Sequence, residues 1–472
     1  MDSISTSAQV GSPTLAQNFA EFASRLEATA PDAVLQGMRP YVLDTLAVMI
    51  SGSTSESSSI MLRSLVRSGS AREATVAGAG KVASTHDAAL LNGAFSHALE
   101  LDDDHRVAVL HPGAVVVPAA LAASEGHAVS GRRFLAAVLG GYEVMCRLGL
   151  AFRGSPFQNG LHPTALFGVF GAATAAGIAQ GLDAAAITRS LGIAGTQASG
   201  LTEWRADGSW IKRLHPGRAA QSGVLAATLA AEGFTGPATI FEGPGGFFRA
   251  FSHGMPIDAD VLVHELGGKF HALDTAIKPY PCCRFMHGAI DLAIEAYRGG
   301  LRAGDIERVD IRIYETGVLS YHQVPLNNVD AQFNVPYGVA CALMRGELGL
   351  DDYTPEQVQN ADTLAMCARI NAAPSEEYSA AYPDVYNVEM IVTTTAGERH
   401  RFHSTCPSGD PEAAAYRADP ALLAREAEDK ACRLLRQCGF DAQAERLAGQ
   451  VDSLLDNPSL DELLALIALP PR

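Results

Sequence analysis

No two of the eight cysteines, Cys146, Cys282, Cys283, Cys341, Cys367, Cys406, Cys432 and Cys438, stand at C-x-x-C spacing. That removes the usual ligand pattern of structural zinc and iron–sulfur centres. A nucleotide cradle is missing too: the Gly-rich stretch EGPGGFF at 242–248 fits neither G-x-G-x-x-G behind a strand nor a Walker A loop, and reads as a turn. Positive charge is short, with 35 Lys and Arg against 52 Asp and Glu and a net charge of -17. Non-specific attraction to nucleic-acid phosphates or anionic lipid is thereby excluded. The opening MDSISTSAQVGSPTLAQ lacks the basic and apolar regions of a secretory leader. The expectation is a cytoplasmic protein whose thiols stay reduced. Tandem repeats and low-complexity linkers are absent as well.

What is present is a large apolar fraction, 47% against 18% charged residues, which suits a globular chain with a substantial core. At roughly 100–200 residues per domain the length allows two or three domains, or one large core with an insertion. The uncharged run at 161–182 exceeds the roughly 18 residues that raise a membrane span. His162, Pro163, Gln180 and many small residues in that run suit a helix packed inside protein instead, so no membrane partner is expected.

Residues 13–68 read as successive amphipathic helices, with Leu15, Phe19, Phe22 and Leu26 on one stripe and Val42, Leu43, Leu46 and Met49 on another. Pro13 and Pro31 suit first-turn positions, and Gly52 suits a stop. Helical periodicity continues over 88–101, 115–123, 133–149, 165–182, 184–195 and 218–232, with no competing strand signal. Beyond about residue 265, RVDIRIY at 308–314 and VYNVEMIVTT at 385–394 alternate as strands, and a Gly397 turn leads into a partner strand at 399–403. Helix returns over 411–469. The expected fold is mainly α with an α+β insertion: a helical domain from 1–265 and 408–472, and a smaller α+β lid over 266–407.

Four segments concentrate chemistry. ELDDDHRVAVLHPGA at 100–114 packs Glu100, Asp102, Asp103 and Asp104 with His105 and His111. It reads either as a solvated acidic loop or as a site in which His111, between apolar neighbours, serves as acid or base. Asp102 to His105 could hold a metal, but no second spaced ligand set supports one, and none is expected. His162 precedes Pro163 at a helix start, where a nearby positive charge is disfavoured. WIKRLHPGR at 210–218 gathers Lys212, Arg213, His215 and Arg218 in an acidic protein, as a salt-bridged surface loop or a grip for an anionic substrate. KPYPCCRFMH at 278–287 is a proline-stiffened loop carrying Lys278, Arg284 and His287, its thiols Cys282 and Cys283 reading as packing.

In this order the segments resemble the MmgE/PrpD family, which includes 2-methylcitrate dehydratases, cis-aconitate decarboxylases and iminodisuccinate epimerases. The likeness spans nearly the whole chain. It rests on NGAFSHALELDDDH at 92–105, LHPGA at 110–114, GLHPTALFGVFGAATAAG at 160–177, GTQASGL at 195–201, KRLHPGRAAQSGVLAATLAAEGFTGP at 212–237 and KPYPCCRFMHGAID at 278–291. The resemblance implies a helical domain built from both chain ends, an α+β lid, a homodimer and a site in the cleft between domains. It also implies cofactor-independent proton transfer beside a carboxylate of a small di- or tricarboxylic acid. Proton abstraction there builds negative charge, so cations must surround the carboxylate while an imidazole or amine moves the proton. Carried onto this chain, His111, His162, Lys212, Tyr337 and Asp103 become catalytic candidates, Tyr337 supplying a lid hydroxyl and Asp103 orienting an imidazole. Lys278, Arg284, Glu100, His287 and Cys283 become substrate-binding candidates, Cys283 standing where a decarboxylase can have histidine. The expected function is a dehydratase or decarboxylase of a 2-methylcitrate- or cis-aconitate-like substrate. An iminodisuccinate-type epimerase is the second reading, and a non-catalytic carboxylate-binding protein the third.

Overall fold

The computed structural model describes residues 12–67, 71–318 and 322–471; residue 68 of the first helical stretch and residues 1–11, on which the absence of a leader was read, lie outside that range. The first helix begins at Leu15 behind a Thr14 cap rather than at Pro13. Thr14 Oγ1 accepts from the Gln17 amide at 3.2 Å while Gln17 Oε1 accepts from the Thr14 amide at 2.8 Å, a reciprocal cap that no proline can make.

The principal helices in chain order are α1 (Leu15–Thr29), α2 (Arg39–Gly52), α3 (Thr85–Ser96), α4 (Gly113–Ser124), α5 (Gly131–Phe152), α6 (Pro163–Ala179), α7 (Ala184–Gly195), α8 (Ile211–Ala231), α9 (His287–Arg298), α10 (Val335–Arg345), α11 (Leu422–Gln437) and α12 (Asp441–Asp452). The chain is mainly α with a small α+β part. One apolar cluster joins α1–α8 to α11 and α12, so both chain ends contribute to it; a second gathers Cys282 to Val392 with Val109 and Trp204. By length and hydropathy α5 could cross a membrane, but 94% of its apolar window is buried in protein. It also carries the buried Arg147–Glu143 ion pair at 2.6 Å, as a core helix can.

Two strand features escaped the sequence reading. Ala74–Val76 (β1) and Lys81–Ala83 (β2) form a short antiparallel hairpin among helices, correcting the expectation of no strand there. Ile306–Ile313 (β3), Ile370–Pro374 (β4), Val388–Thr394 (β5) and Arg399–Ser404 (β6) make a sheet ordered β4-β3-β5-β6. β4 pairs parallel to β3, the other pairs being antiparallel. As INAAP, β4 has no alternating apolar pattern to announce it.

The basic segment 210–218 is helical rather than a loop. It opens α8, whose Pro216 and Gly217 masked the pattern. α8 crosses α3 with almost no space between backbones: a Cβ on Gly93 would lie 2.6 Å from the Gly217 Cα, and one on Gly217 2.1 Å from the Leu90 carbonyl oxygen. This glycine contact brings the start of α8 against the end of α3, and with it Lys212 against His97. Gly217→Ala is expected to push the helices apart, costing about 1–3 kcal/mol of stability in urea unfolding. Turnover should fall with it, because Lys212 moves from His97.

Candidate active site

α3 ends at Ser96, and His97 caps it. The chain then turns back through Glu100 and Val109, both in the left-handed region (φ 55° and 58°), a conformation non-glycine residues rarely hold without support. Support comes from the Asp104 amide donating to the Ala276 carbonyl at 2.9 Å and the Ala276 amide donating back at 2.8 Å. The acidic loop is thus tied to the segment that carries Lys278.

Far from being solvated, the loop is buried, and Glu100, Asp102 and Asp103 each have a hydrogen-bonded partner. His97 donates from Nδ1 to Asp102 Oδ2 at 2.6 Å and accepts at Nε2 from the Lys212 ammonium at 2.7 Å. Lys212 also donates to Glu100 Oε1 at 2.6 Å. Lys278 donates to the Glu100 carbonyl at 3.2 Å and lies 3.9 Å from Asp102. His111 donates from Nδ1 to the Asp103 carbonyl at 2.7 Å, which leaves its Nε2 lone pair available toward the cavity. The His162 and His215 Nδ1 atoms are 3.0 Å apart. Trp204 and Phe333 flank Lys212, its Nζ 5.7 and 5.3 Å from their ring centroids.

Six of the ten sequence candidates line one small cavity: Glu100, His111, His162, Lys212, Cys283 and Arg284. The other four do not, and their roles change. Lys278 is fully buried beneath Glu100, so it braces a site residue instead of meeting substrate. Asp103 accepts from Tyr142 Oη at 2.7 Å and from the Gly113 amide at 2.9 Å; it orients His111 through its backbone carbonyl, not its carboxylate. His287 is buried against the Cys282 carbonyl (3.2 Å) and Arg284 (3.3 Å). Tyr337 turns away from the cavity and donates to the Asp352 carbonyl. Its position in the first turn of α10 packs it into the second apolar cluster, a direction no sequence pattern conveys.

His97, Trp204 and Phe333 were not singled out in the sequence, and Asp102 and His215 stood in the charged segments without an assigned role at the site. The only signal for His97 was its place inside the 92–105 motif, where a histidine ending an apolar helix looks like a cap. Trp204 and Phe333 sit in segments with no distinctive local pattern.

Electrostatics set buried cations beside three imidazoles, His111, His162 and His215, whose protonation burial opposes. Burial, then the Lys278 charge, pushes His111 well below the ordinary imidazole value. Burial, then His215 and Lys212, does the same to His162, and burial lowers His215 to about 4. Burial opposes the charge on Glu100, yet Lys212, His97 and Lys278 bring it down to about 2. For Asp104 burial outweighs the compensation from Lys278 and Arg284 and lifts it to about 6. Burial would lower Lys278, but Asp102, Glu100 and Asp104 raise it. The Cys283 thiol is pushed up to about 12 by burial and is not a nucleophile. Because lowered imidazoles carry a proton in the free protein only below their usual range, a reaction that takes its proton from one of them is expected to gain kcat/KM as the pH falls through 6.5. A kcat/KM that rises with pH across that range in a pH–rate profile would contradict the assignment.

This arrangement can hold a carboxylate with Lys212 and Arg284 while unprotonated imidazoles handle a proton. Family models reach the same ground. The MmgE/PrpD N-terminal domain matches residues 17–260 and the C-terminal domain residues 280–451. The chain belongs to the MmgE/PrpD family. Among curated MmgE/PrpD relatives, a cis-aconitate decarboxylase-like protein of Aspergillus oryzae is 28% identical over 81% of this chain and 82% of its own length. The cis-aconitate decarboxylase of Aspergillus terreus is 29% identical over 74% and 76%. The human cis-aconitate decarboxylase is 28% identical over 66% of each. Family and relatives together make this MmgE/PrpD chain a lyase.

Proposed function

We propose that this lyase removes carbon dioxide from a small polycarboxylate of the cis-aconitate kind, without metal or organic cofactor. The observation that carries the reading is the free Nε2 of His111 facing, with His162, a cavity flanked by Lys212 and Arg284. The relatives' activity points the same way.

The bound polyanion meets Lys212 and Arg284. Its negative charge offsets the cations that hold His111 and His162 unprotonated, so a proton enters with it. The carbon–carbon bond to the departing carboxylate breaks and carbon dioxide leaves. The released electron pair moves through the adjoining double bond to the far carbon, which takes the proton from the imidazolium. One carboxylate is lost as carbon dioxide and one proton is gained, so charge and atoms balance. The apolar wall of Trp204, Phe285 and Phe333 excludes water from the developing carbanion. The cavity has only about 30 Å³ of free space, room for a water or two at roughly 10–15 Å³ each. Substrate therefore enters when the segment 283–285 and Phe333 swing outward.

His97, His111 and His162 bring one ring nitrogen each within 4.8 Å of one another, a spacing a divalent ion could use. Against that, the Lys212 ammonium takes the His97 Nε2 lone pair, and Lys278 sets a second buried cation nearby. Proton NMR in D₂O of chelator-treated protein, offered cis-aconitate, 2-methylcitrate, citrate and iminodisuccinate, tests the reading. The expected result is decarboxylation of cis-aconitate with one deuterium in the product. Water loss from 2-methylcitrate or citrate alone, or exchange on iminodisuccinate alone, would replace it by a dehydratase or an epimerase. Loss of activity on chelation, restored by one divalent ion, would overturn cofactor independence.

A further inference from the structure

Behind the segment 279–281, on the side away from the active site, lies a second cavity of about 480 Å³. Its cations come from three helices: Arg298 ends α9, Arg345 ends α10, and Lys430 and Arg433 belong to α11. The carboxylates around it are Glu347, Asp351 and Asp352. Two of these are committed, Asp352 to Arg345 and the Gly349 amide, and Asp351 to the Gln437 amide at 3.1 Å. Lys430 is committed as well, to Asp44 and to the Leu101 carbonyl, each at 2.6 Å. Arg298 and Arg433 are exposed and have no ion pair or hydrogen bond among the described residues.

We propose that this cavity is a regulatory site for a small polyvalent anion, gripped by Arg298 and Arg433 from opposite sides. A guanidinium binds a carboxylate or phosphate through two parallel hydrogen bonds, so two of them suit a ligand with two anionic ends. The occupant would tie α9, beside the lid sheet, to α11 of the helical body. That tie acts on the active site through two stretches that line this cavity and adjoin active-site residues along the chain. One is the segment 279–281, which directly follows Lys278. The other is Leu101, which stands between Glu100 and Asp102 and is held by Lys430. Because substrate entry and product release require the lid residues to move, an anion that clamps lid to body slows turnover. Binding at this site is independent of which acid the active site converts.

The test uses pyrophosphate and tricarballylate, one a polyphosphate and one a polycarboxylate, on the wild-type chain and on the double variant Arg298→Ala, Arg433→Ala. The variant should keep the wild-type kcat and KM in the absence of added anion, since neither side chain touches the active-site cavity. In the wild type, calorimetry should show an anion site beyond the active site, and kcat at saturating substrate should fall severalfold. Both effects should vanish in the variant. The probe that gives the larger loss names the class of anion. Inhibition by both probes that excess substrate fully relieves would place the anion in the active site and overturn the proposal. Equal anion binding or inhibition in wild type and variant would overturn it too.

Discussion

His111→Gln is expected to lower kcat by about 10²–10⁴-fold while KM changes little, since the loss is of proton transfer rather than of carboxylate binding. The geometry behind this is specific to His111 among the site histidines. Its Nδ1 is pinned to the Asp103 carbonyl at 2.7 Å, which aims Nε2 at the cavity, and burial together with Lys278 keeps that nitrogen unprotonated. Gln preserves a polar side chain of similar reach without a titratable nitrogen, so the protein should fold and bind. Steady-state kinetics on cis-aconitate decides the matter. A loss under about tenfold, or a loss carried by KM alone, would shift the proton-transfer role to His162.

Glu100→Ala is expected to destabilise the chain by about 3–5 kcal/mol in urea unfolding and to abolish measurable turnover. Removing this carboxylate strands the Lys212 ammonium, which is 2.6 Å from it, and weakens the setting of the buried Lys278. Uncompensated buried charge is among the most expensive defects a fold can carry. The pH dependence follows from the direction of the shift. The Glu100 carboxyl falls from 4.5 to about 2 on folding, so its stabilisation is complete above pH 4.5 and fades as the pH drops through about 2. The stability gap between wild type and variant should therefore be constant at neutral pH and narrow in acid. A gap that widened toward low pH would mean that Glu100 is not held ionised by its lysines. His111, His162 and His215 act in the same direction over a higher range. Each is lowered by burial, so the unfolded chain takes up their protons first, and stability declines as the pH falls from about 6.5.

The residues alone made the helical body legible, because amphipathic stripes such as Leu15, Phe19, Phe22 and Leu26 repeat at helical spacing. The same holds for β3 and β5, whose alternation matches their half-buried faces. They also marked the charged segments around Glu100, Lys212 and Lys278, since such density is rare in a chain with so few charges. Strand β4 and the β1–β2 hairpin were not legible. Their residues carry no alternation, and only pairing with a neighbour makes them strands.

Within the site, the division between contact and support was a matter of packing. Lys212 and His97 are 115 positions apart and meet because Gly93 and Gly217 let two helices touch. Lys278, Asp103, His287 and Tyr337 are chemically as suitable as the cavity residues, and their sequence segments resemble the family as well. Burial beneath the loop, a hydrogen bond to Tyr142, a backbone carbonyl and a turn of α10 direct them elsewhere. Composition and periodicity report the local preferences of a chain. Which side chains share a cavity depends on contacts between residues distant in sequence, and on the charges that burial forces them to balance.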